Sequence, residues 1–482
     1  MSNTSTIVIE LPETTVAETA THEEPSGKLA PATIRSFCLT RNDVRLEVCS
    51  LGASITKLLL PKPPNVKATA SSATTTTTAI TTTTHDDVVL GYDSPHSMHS
   101  TRNPCYFGVT VGRVANRIAQ GRFTLESTGT SNGTNTSNSS SNTQECTYAL
   151  DVNNDPNHLH GGIHGFHARL WESRMLEGGG VEFSRTSLDG EEGYPGTVRV
   201  SVTYRLESPT NTNTSTSTGV AGTRVAVSIT VRAQLIGRKP TPINIANHSY
   251  FNLARHDDPR GILDHTLHLP NCDSYTPVDV HSIPTREVRH LSPESVMDFR
   301  NPKVLSQALC GFGIQKGVDP AVAQNHIEER HPAVDGNGQP YGFDHNYVLR
   351  TNTNDGDTTN SKSLKVAGIV EHADTHRRLV VSTNAPGVQI YTSNYLDGSV
   401  HTPFPHAKDG AVYAQWQGIC LETQHFPDSI LTTDDITRFP EFAKGRCVIL
   451  REEMDAGTDA SKPDDERSDV YTHVMEYCFE QC

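Results

Sequence analysis

Apolar and polar residues alternate with a period of two along much of this chain. Val44, Leu46 and Val48 alternate with Arg45 and Glu47, as expected of a half-buried strand. Gly52 offers a turn before the apolar run SITKLLLP, so the two segments are expected to form a hairpin. Val198, Val200, Val202, Tyr204 and Leu206 fall on one face of a second strand, and Val225, Val227, Ile229, Val231 and Ala233 on one face of a third. NTNTSTSTG lies between them, as in a hairpin whose loop has been lengthened; closure entropy grows only logarithmically with loop length, so the insertion costs little. Further short runs follow in YGFDHNYVL, SLKVAGIVEH, RRLVVSTN, GVQIYTSNYLDGS and GICLETQHFPDSI, and VYTHVMEYCF closes the domain. Few windows have helical periodicity. The best short helix candidate is AVAQNHIEER, within the irregular stretch Ser306 to Pro340. The pattern predicts an all-β fold, a large β-sandwich with long loops and few short helices.

Three tracts rich in Thr, Ser and Asn interrupt the alternation, near residues 62–87, 127–146 and 207–224. They have no hydrophobic face and are expected to be solvated loop insertions. Residues 1 to about 31 have few aromatics and read as a disordered leader, and Arg451 to Asp469 as a charged loop. The expected organisation is therefore a leader, 1–31, followed by one β-sandwich domain, 32–482, carrying the three insertions.

The tracts account for an apolar content of only 35 % in 482 residues. The formal charge is −15, and without clustered Lys or Arg the chain would be repelled by a phosphate backbone. No run approaches the 18 or so apolar residues of a membrane span, and the first residues lack a basic start and a long apolar core. The ten cysteines include no CxxC pair, which fits free thiols in a reducing compartment. These features predict a cytoplasmic protein with neither nucleic-acid nor membrane partners.

The stretch INIANHSYFNLA, Ile243 to Ala254, reads as a buried strand, yet it carries Asn244, Asn247, His248, Ser249 and Asn252. Polar groups there must find partners or do chemistry, and His248 can carry a proton near neutrality. A hydrogen-bonded core histidine is the more frequent use of such a residue, and this segment alone leaves both uses open. GRVANRIAQGRF places Arg113, Asn116 and Arg117 in a loop, where a fork of donors suits sugar hydroxyls or carboxylates; a structural arginine is the ordinary alternative. HLHGGIHGFH holds His158, His160, His164 and His167 within ten residues, a spacing that invites a zinc hypothesis. No acidic or thiol ligand completes such a site nearby, so polar contact with a ligand is the better use of His160. Asp344 in GFDH could be a turn residue bonding its own backbone, and Gln389 in GVQIY is polar on an otherwise apolar strand. Glu422 in GICLETQHF lies within an apolar run, where an unpaired carboxylate is costly and its pKa can rise toward a general base's range.

Together GRVANRIAQGRF, NHLHGG with GFHARLW, DGEEGYPG, NIANHSYFNLA, GFDHNYVL, PGVQIYTSNYLDG and GICLETQHFPDS resemble the aldose 1-epimerases, the galactose mutarotases, in family order from about Thr33 to Phe479. The resemblance implies that His248 is the general acid and Glu422 the general base. It implies that Asn116, Arg117, His160, Asp344 and Gln389 hold the sugar in an open cleft, and that no metal or organic cofactor takes part. The implied reaction interconverts the α and β anomers of free hexoses such as galactose and glucose by ring opening and reclosure. Acid and base are expected on opposite sides of the anomeric centre, each within about 3 Å of its atom. His167 departs from the family pattern, which commonly has Asp there, and Glu441 to Asp469 is longer and more charged than usual. The expected partner is a small-molecule aldose, and the protein a monomer or weak dimer. A hexose-6-phosphate 1-epimerase and a non-catalytic sugar-binding homologue are the alternatives.

Overall fold

The computed structural model describes residues 5–16, 32–63, 84–127, 144–209, 223–310, 342–350, 364–398, 407–452 and 469–481. Strands form where the alternation places them. In Thr197–Glu207 the even-numbered residues Val198 to Leu206 are buried while Arg199 faces solvent. This strand pairs antiparallel with Thr223–Ile236, in register from Thr197 opposite Ile236 to Glu207 opposite Ala226. The lengthened hairpin is therefore present, with residues 210–222 of its loop outside the described residues. Val44–Cys49 and Ser54–Pro61 likewise form the first expected hairpin.

A nine-stranded antiparallel sheet is the largest layer. Its order is Glu172–Met175, Val181–Ser187, Thr197–Glu207, Thr223–Ile236, Val470–Gln481, Arg377–Thr383, Lys365–His372, Thr266–His268 and Lys303–Val304. The C-terminal strand thus lies mid-sheet and joins the two halves of the chain. Two five-stranded sheets pack on it. An N-terminal sheet runs Ile7–Glu10, Ser36–Arg41, Val44–Cys49, Ser54–Pro61, His85–Asp87, and a second runs Arg289–His290, Cys272–Thr276, Asp344–Leu349, Gly387–Tyr391, Cys420–Gln424. The first meets the large sheet through Phe37, whose ring lies 6.0 Å from that of Phe183, and through the Tyr204 hydroxyl, which donates to Ala53 O at 2.6 Å. The second contributes Tyr347, Val388, Ile390 and Leu421 to the same apolar cluster as Val370 and Val381 of the large sheet. Burying each such side chain is worth about 1.5–3 kcal/mol, so this shared core, rather than strand propensity, fixes how the layers stack.

Three expectations change. Residues 5–16 of the expected leader are ordered: Ile7–Glu10 pairs with Ser36–Arg41 as an edge strand, and Thr14–Val16 pairs with Ala32–Ile34. Main-chain bonds, Val8 against the core, and a Glu10–Arg35 ion pair of 2.6 Å hold this segment, none of which composition reports. The tracts are also shorter than expected, because His85–Asp87 and Gln144–Ala149 are strands. The helix candidate AVAQNHIEER and most of the expected charged loop, 453–468, lie outside the described residues.

Lastly, Ile243 to Ala254 is not one strand. It is buried throughout but changes partner every few residues: Thr241–Ile243 pairs with Val448–Leu450, Asn244 bridges Val114, Ala246–Asn247 pairs with Thr110–Val111, and Phe251 bridges Val89 and Ile419. Its asparagines supply bonds that a continuous ladder would have made. Asn244 exchanges both side-chain bonds with the His425 backbone, Asn247 Nδ2 donates to Gly108 O, and Asn252 Nδ2 donates to Gln417 O. With the asparagines committed to backbone, and Ser249 donating to Asn247 Oδ1, His248 is the polar side chain of the stretch available for chemistry.

Candidate active site

Strand alternation builds one wall of the site. In the second five-stranded sheet Asn346, Gln389 and Glu422 stand side by side on three neighbouring strands, and Asp344, Tyr391 and Cys420 form the adjacent row. Positions two apart share a face, so all six point away from the core formed by Tyr347, Val388, Ile390 and Leu421. His248 approaches this face from the threaded stretch. Its Nε2 lies 3.5 Å from Glu422 Oε1, and its Nδ1 lies 3.7 Å from Cys420 Sγ. Cys420 and Glu422, two residues apart, thus contact the two nitrogens of one imidazole.

The opposite wall comes from two interlocked loops. Gly161 has φ +85°, and a Cβ there would overlap the carbonyl oxygen of Gly112; glycine is required for this approach. The contact docks HLHGG on GRVANR. His160 N donates to Asn116 O, and Asn116 N donates to His160 Nδ1 at 3.2 Å. Asn116 and His160 both have left-handed backbones, φ 62° and 52°, conformations that non-glycine residues adopt at a cost and that cluster at functional sites. Arg117 Nε donates to Asn154 Oδ1 at 3.0 Å, and its Nη1 lies 3.7 Å from Asp344 Oδ2.

These walls enclose a cleft of about 460 Å³ lined by Asn116, Arg117, His160, His248, Asp344 and Glu422, with aromatic rings from Tyr106, Tyr250, Tyr391 and Tyr395. Six of the seven expected site residues therefore border one space. The seventh, Gln389, stands behind Asp344 and donates to its Oδ1 at 2.7 Å, while its own Oε1 is buried without a protein partner. Asn154, which orients Arg117, and the tyrosines stand outside the expected site residues. Tyr250 follows His248 by two residues and was legible as a same-face neighbour, whereas Tyr106 and Asn154 carry no local signal.

Burial dominates the electrostatics. His248 is 4 % exposed and Glu422 2 %. Desolvation pushes His248 down to about 4, opposed by its own backbone and the Asp344 charge, and pushes Glu422 well above the carboxylate range, with Asp344 reinforcing and Arg117 opposing. Both shifts favour neutral forms. Together they favour one proton shared by the pair over an imidazolium–carboxylate ion pair. Glu422 Oε2 is buried without a protein hydrogen-bond partner, an acceptor that the fold leaves unsatisfied.

The histidine-rich loop divides by role. His158 bonds Asp151 O and the Tyr194 hydroxyl, and His167 lies behind Tyr106; of the four only His160 lines the cleft. His160, His248 and Glu422 do bring ligand atoms within 4.8 Å of one another. Yet the Asn116 N–H held by His160 Nδ1 places that ring's proton on Nε2, so the cleft meets a donor rather than a metal-binding lone pair. A second cluster, Asp264 with His265 and His372, is occupied by its own bonds: Asp264 contacts both rings and Arg260, and Leu253 N donates to His265 Nε2.

Arg113, one candidate of the GRVANR loop, proves structural. It is 2 % exposed, and its guanidinium donates to the carbonyls of Pro195, Gly196, Ser187 and Leu188. Arg113→Ala orphans these acceptors and is expected to destabilise the fold by about 3 kcal/mol or more, read as a lowered urea midpoint.

Comparison with known proteins agrees with this architecture. The family model described as aldose 1-epimerase matches residues 56–434. A galactose mutarotase from Bos taurus is 35 % identical over 402 residues, 83 % of this chain and 88 % of the relative, and an aldose 1-epimerase from Escherichia coli K12 is 30 % identical, covering 75 % and 81 %. Among solved structures, an aldose epimerase homologue from C. elegans superposes with a TM-score of 0.59 at 20 % identity, covering 91 % of this chain and 96 % of that one. A galactose 1-epimerase from Lactobacillus acidophilus gives 0.57 at 21 %, covering 98 % and 99 %. The extent of these matches establishes that the chain belongs to the aldose 1-epimerase family.

Proposed function

We propose that this protein interconverts the α and β anomers of free aldoses, galactose and glucose among them, with Glu422 as general base and His248 as general acid. The 3.5 Å contact between His248 Nε2 and Glu422 Oε1 carries the reading. The two groups lie side by side, not on opposite sides of an anomeric centre as the sequence reading expected. Side by side suits the chemistry, because the hydroxyl to be deprotonated and the ring oxygen to be protonated are bonded to the same carbon.

For opening, the shared proton sits on His248. Glu422 takes the proton of the C1 hydroxyl, His248 gives its own to the ring oxygen, and the bond from C1 to the ring oxygen breaks to leave an aldehyde. Rotation about C1–C2 presents the other carbonyl face. Glu422 then returns its proton to the carbonyl oxygen as the ring oxygen closes on C1 and gives its proton back to His248. Burial favours the arrangement that follows opening, neutral His248 with protonated Glu422, and so supports the open-chain stage. Arg117, with Asn154 and Asp344 fixing its guanidinium, and the Nε2–H of His160 are suited to hold sugar oxygens. Asn116 positions both, since its Oδ1 accepts from Arg117 N and its N–H pins His160. Gln389 supports Asp344.

Among the described residues lining the cleft, Arg117 is the one arginine or lysine, and it is committed to Asn154 and Asp344. A sugar phosphate would meet the carboxyl groups of Asp155, Asp344 and Glu422 and no cation beyond Arg117, which favours neutral sugars. Eight of the ten cysteines are free thiols, which fits a reducing compartment and a cytoplasmic location. No helix among the described residues is long and apolar enough to cross a membrane.

Polarimetry of fresh α-D-galactose and α-D-glucose tests the assignment. Conversion faster than the spontaneous rate is expected, without inhibition by sugar phosphates, whereas saturable binding without conversion would leave a sugar-binding protein. Arg117→Ala is expected to raise KM and lower kcat together, because it removes a group that both holds and orients the sugar.

A further inference from the structure

Tyr106 belongs to none of the expected site residues, yet its ring touches three imidazoles. Its centroid lies 4.7 Å from His160, 4.8 Å from His167 and 5.9 Å from His248, the last near-parallel at 30°. It holds a left-handed backbone, φ 59°, which a bulky side chain adopts only under constraint. The constraint is visible: buried Asn103 brackets the turn, its Oδ1 accepting from Phe107 N at 2.8 Å and its Nδ2 donating to Phe107 O at 3.0 Å. Tyr250 also stacks on His248, at 5.1 Å and 30°, but is buried. Tyr106 is half-buried and lines the cleft, so it stands between the imidazole cluster and water.

We infer that Tyr106 is a positioning residue whose ring, and not its hydroxyl, holds the His248 imidazole toward Glu422 and screens it from solvent. The inference rests on the acid-base reading above. The ring offers a flat apolar surface to His248, and no protein group accepts its hydroxyl in the hydrogen bonds described. Removing the ring frees the imidazole to rotate and admits water beside it. Reaction geometry then suffers more than sugar binding, which His160 and Arg117 retain through bonds of their own.

The test uses Tyr106→Ala and Tyr106→Phe in the full chain with two readouts. In polarimetry Tyr106→Ala is expected to lower kcat about 10-fold or more, as befits loss of near-attack geometry, with KM within about 2-fold, while Tyr106→Phe stays near wild type. In carbethoxylation by diethyl pyrocarbonate, mapped by mass spectrometry, His248 is expected to be protected in wild type and Tyr106→Phe and modified at least several-fold faster in Tyr106→Ala. Equal losses in the two variants would assign the effect to the hydroxyl and overturn the inference. So would a Tyr106→Ala protein with unchanged His248 protection, or one defective in KM alone. The chemical readout does not depend on turnover, so a wild-type protein inactive on every aldose would refute the functional reading while His248 protection still decides the role of Tyr106.

Discussion

Glu422→Gln is expected to lower kcat for anomer interconversion by about 10² to 10⁴-fold, the usual worth of a positioned base, and at the same time to stabilise the fold at neutral pH. Both effects follow from one buried carboxyl. The amide keeps the shape but cannot accept the C1 hydroxyl proton, so polarimetric turnover falls. The stability effect has a definite sign. Burial and Asp344 raise the folded-state pKa of Glu422, so above the unfolded value the unfolded chain has released a proton that the folded chain still holds. Folding then binds protons, and the wild type loses stability as pH rises from the unfolded toward the folded pKa. Glutamine is neutral throughout and escapes that loss. The variant should show a higher urea midpoint than wild type at pH 7 and a shrinking advantage as pH falls below the unfolded carboxylate range. A Glu422→Gln protein with near wild-type turnover would remove the base from the mechanism.

His248→Asn is the second large effect, a loss of kcat again of about 10² to 10⁴-fold, with the fold retained because asparagine can fill the buried position. The pH profile adds a sharper test. Between the two limbs the pair holds one proton. As pH falls, a second proton enters on His248, pushed down to about 4 by burial, and the base is then blocked by its own proton. Wild-type kcat/KM is therefore expected to fall below about pH 4 and to remain high through the range where an ordinary histidine titrates, since the free-enzyme profile reports such ionisations. A midpoint near 6.5, the value of a solvated histidine, would show His248 exposed and contradict the geometry. Residual activity of His248→Asn close to wild type would assign the acid role elsewhere.

Much of this was readable before any coordinates. The period of two in Val198–Leu206 and Val225–Ala233 fixes strand, face and hairpin together, because a one-residue slip would turn every valine to solvent. The same period foretells that Asp344 and Asn346, or Cys420 and Glu422, share a face. The cost of a carboxyl in an apolar run singled out Glu422 with no structural information. Other features were hidden for identifiable reasons. Ile7–Glu10 is held by backbone bonds, Val8 against the core and one ion pair, none of which its leader-like composition reveals. Ile243 to Ala254 has strand-like residues but no single strand partner. Arg113 and Arg117, four residues apart in one loop, looked equivalent until burial committed Arg113 to four carbonyls and left Arg117 facing the cleft.

By itself the sequence determined the all-β class, the hairpins on either side of the tracts and the family motifs, and it marked out His248 and Glu422 as candidates for acid-base work. Only the tertiary structure decided that the C-terminal strand closes the middle of the large sheet, that His248 and Glu422, remote along the chain, meet at 3.5 Å beside one another, and that the Tyr106 ring lies against His248. The physical reason is one of range. Periodicity and side-chain chemistry act within a few residues, whereas desolvation, proton sharing and ring packing arise only where separate layers bury their faces against each other.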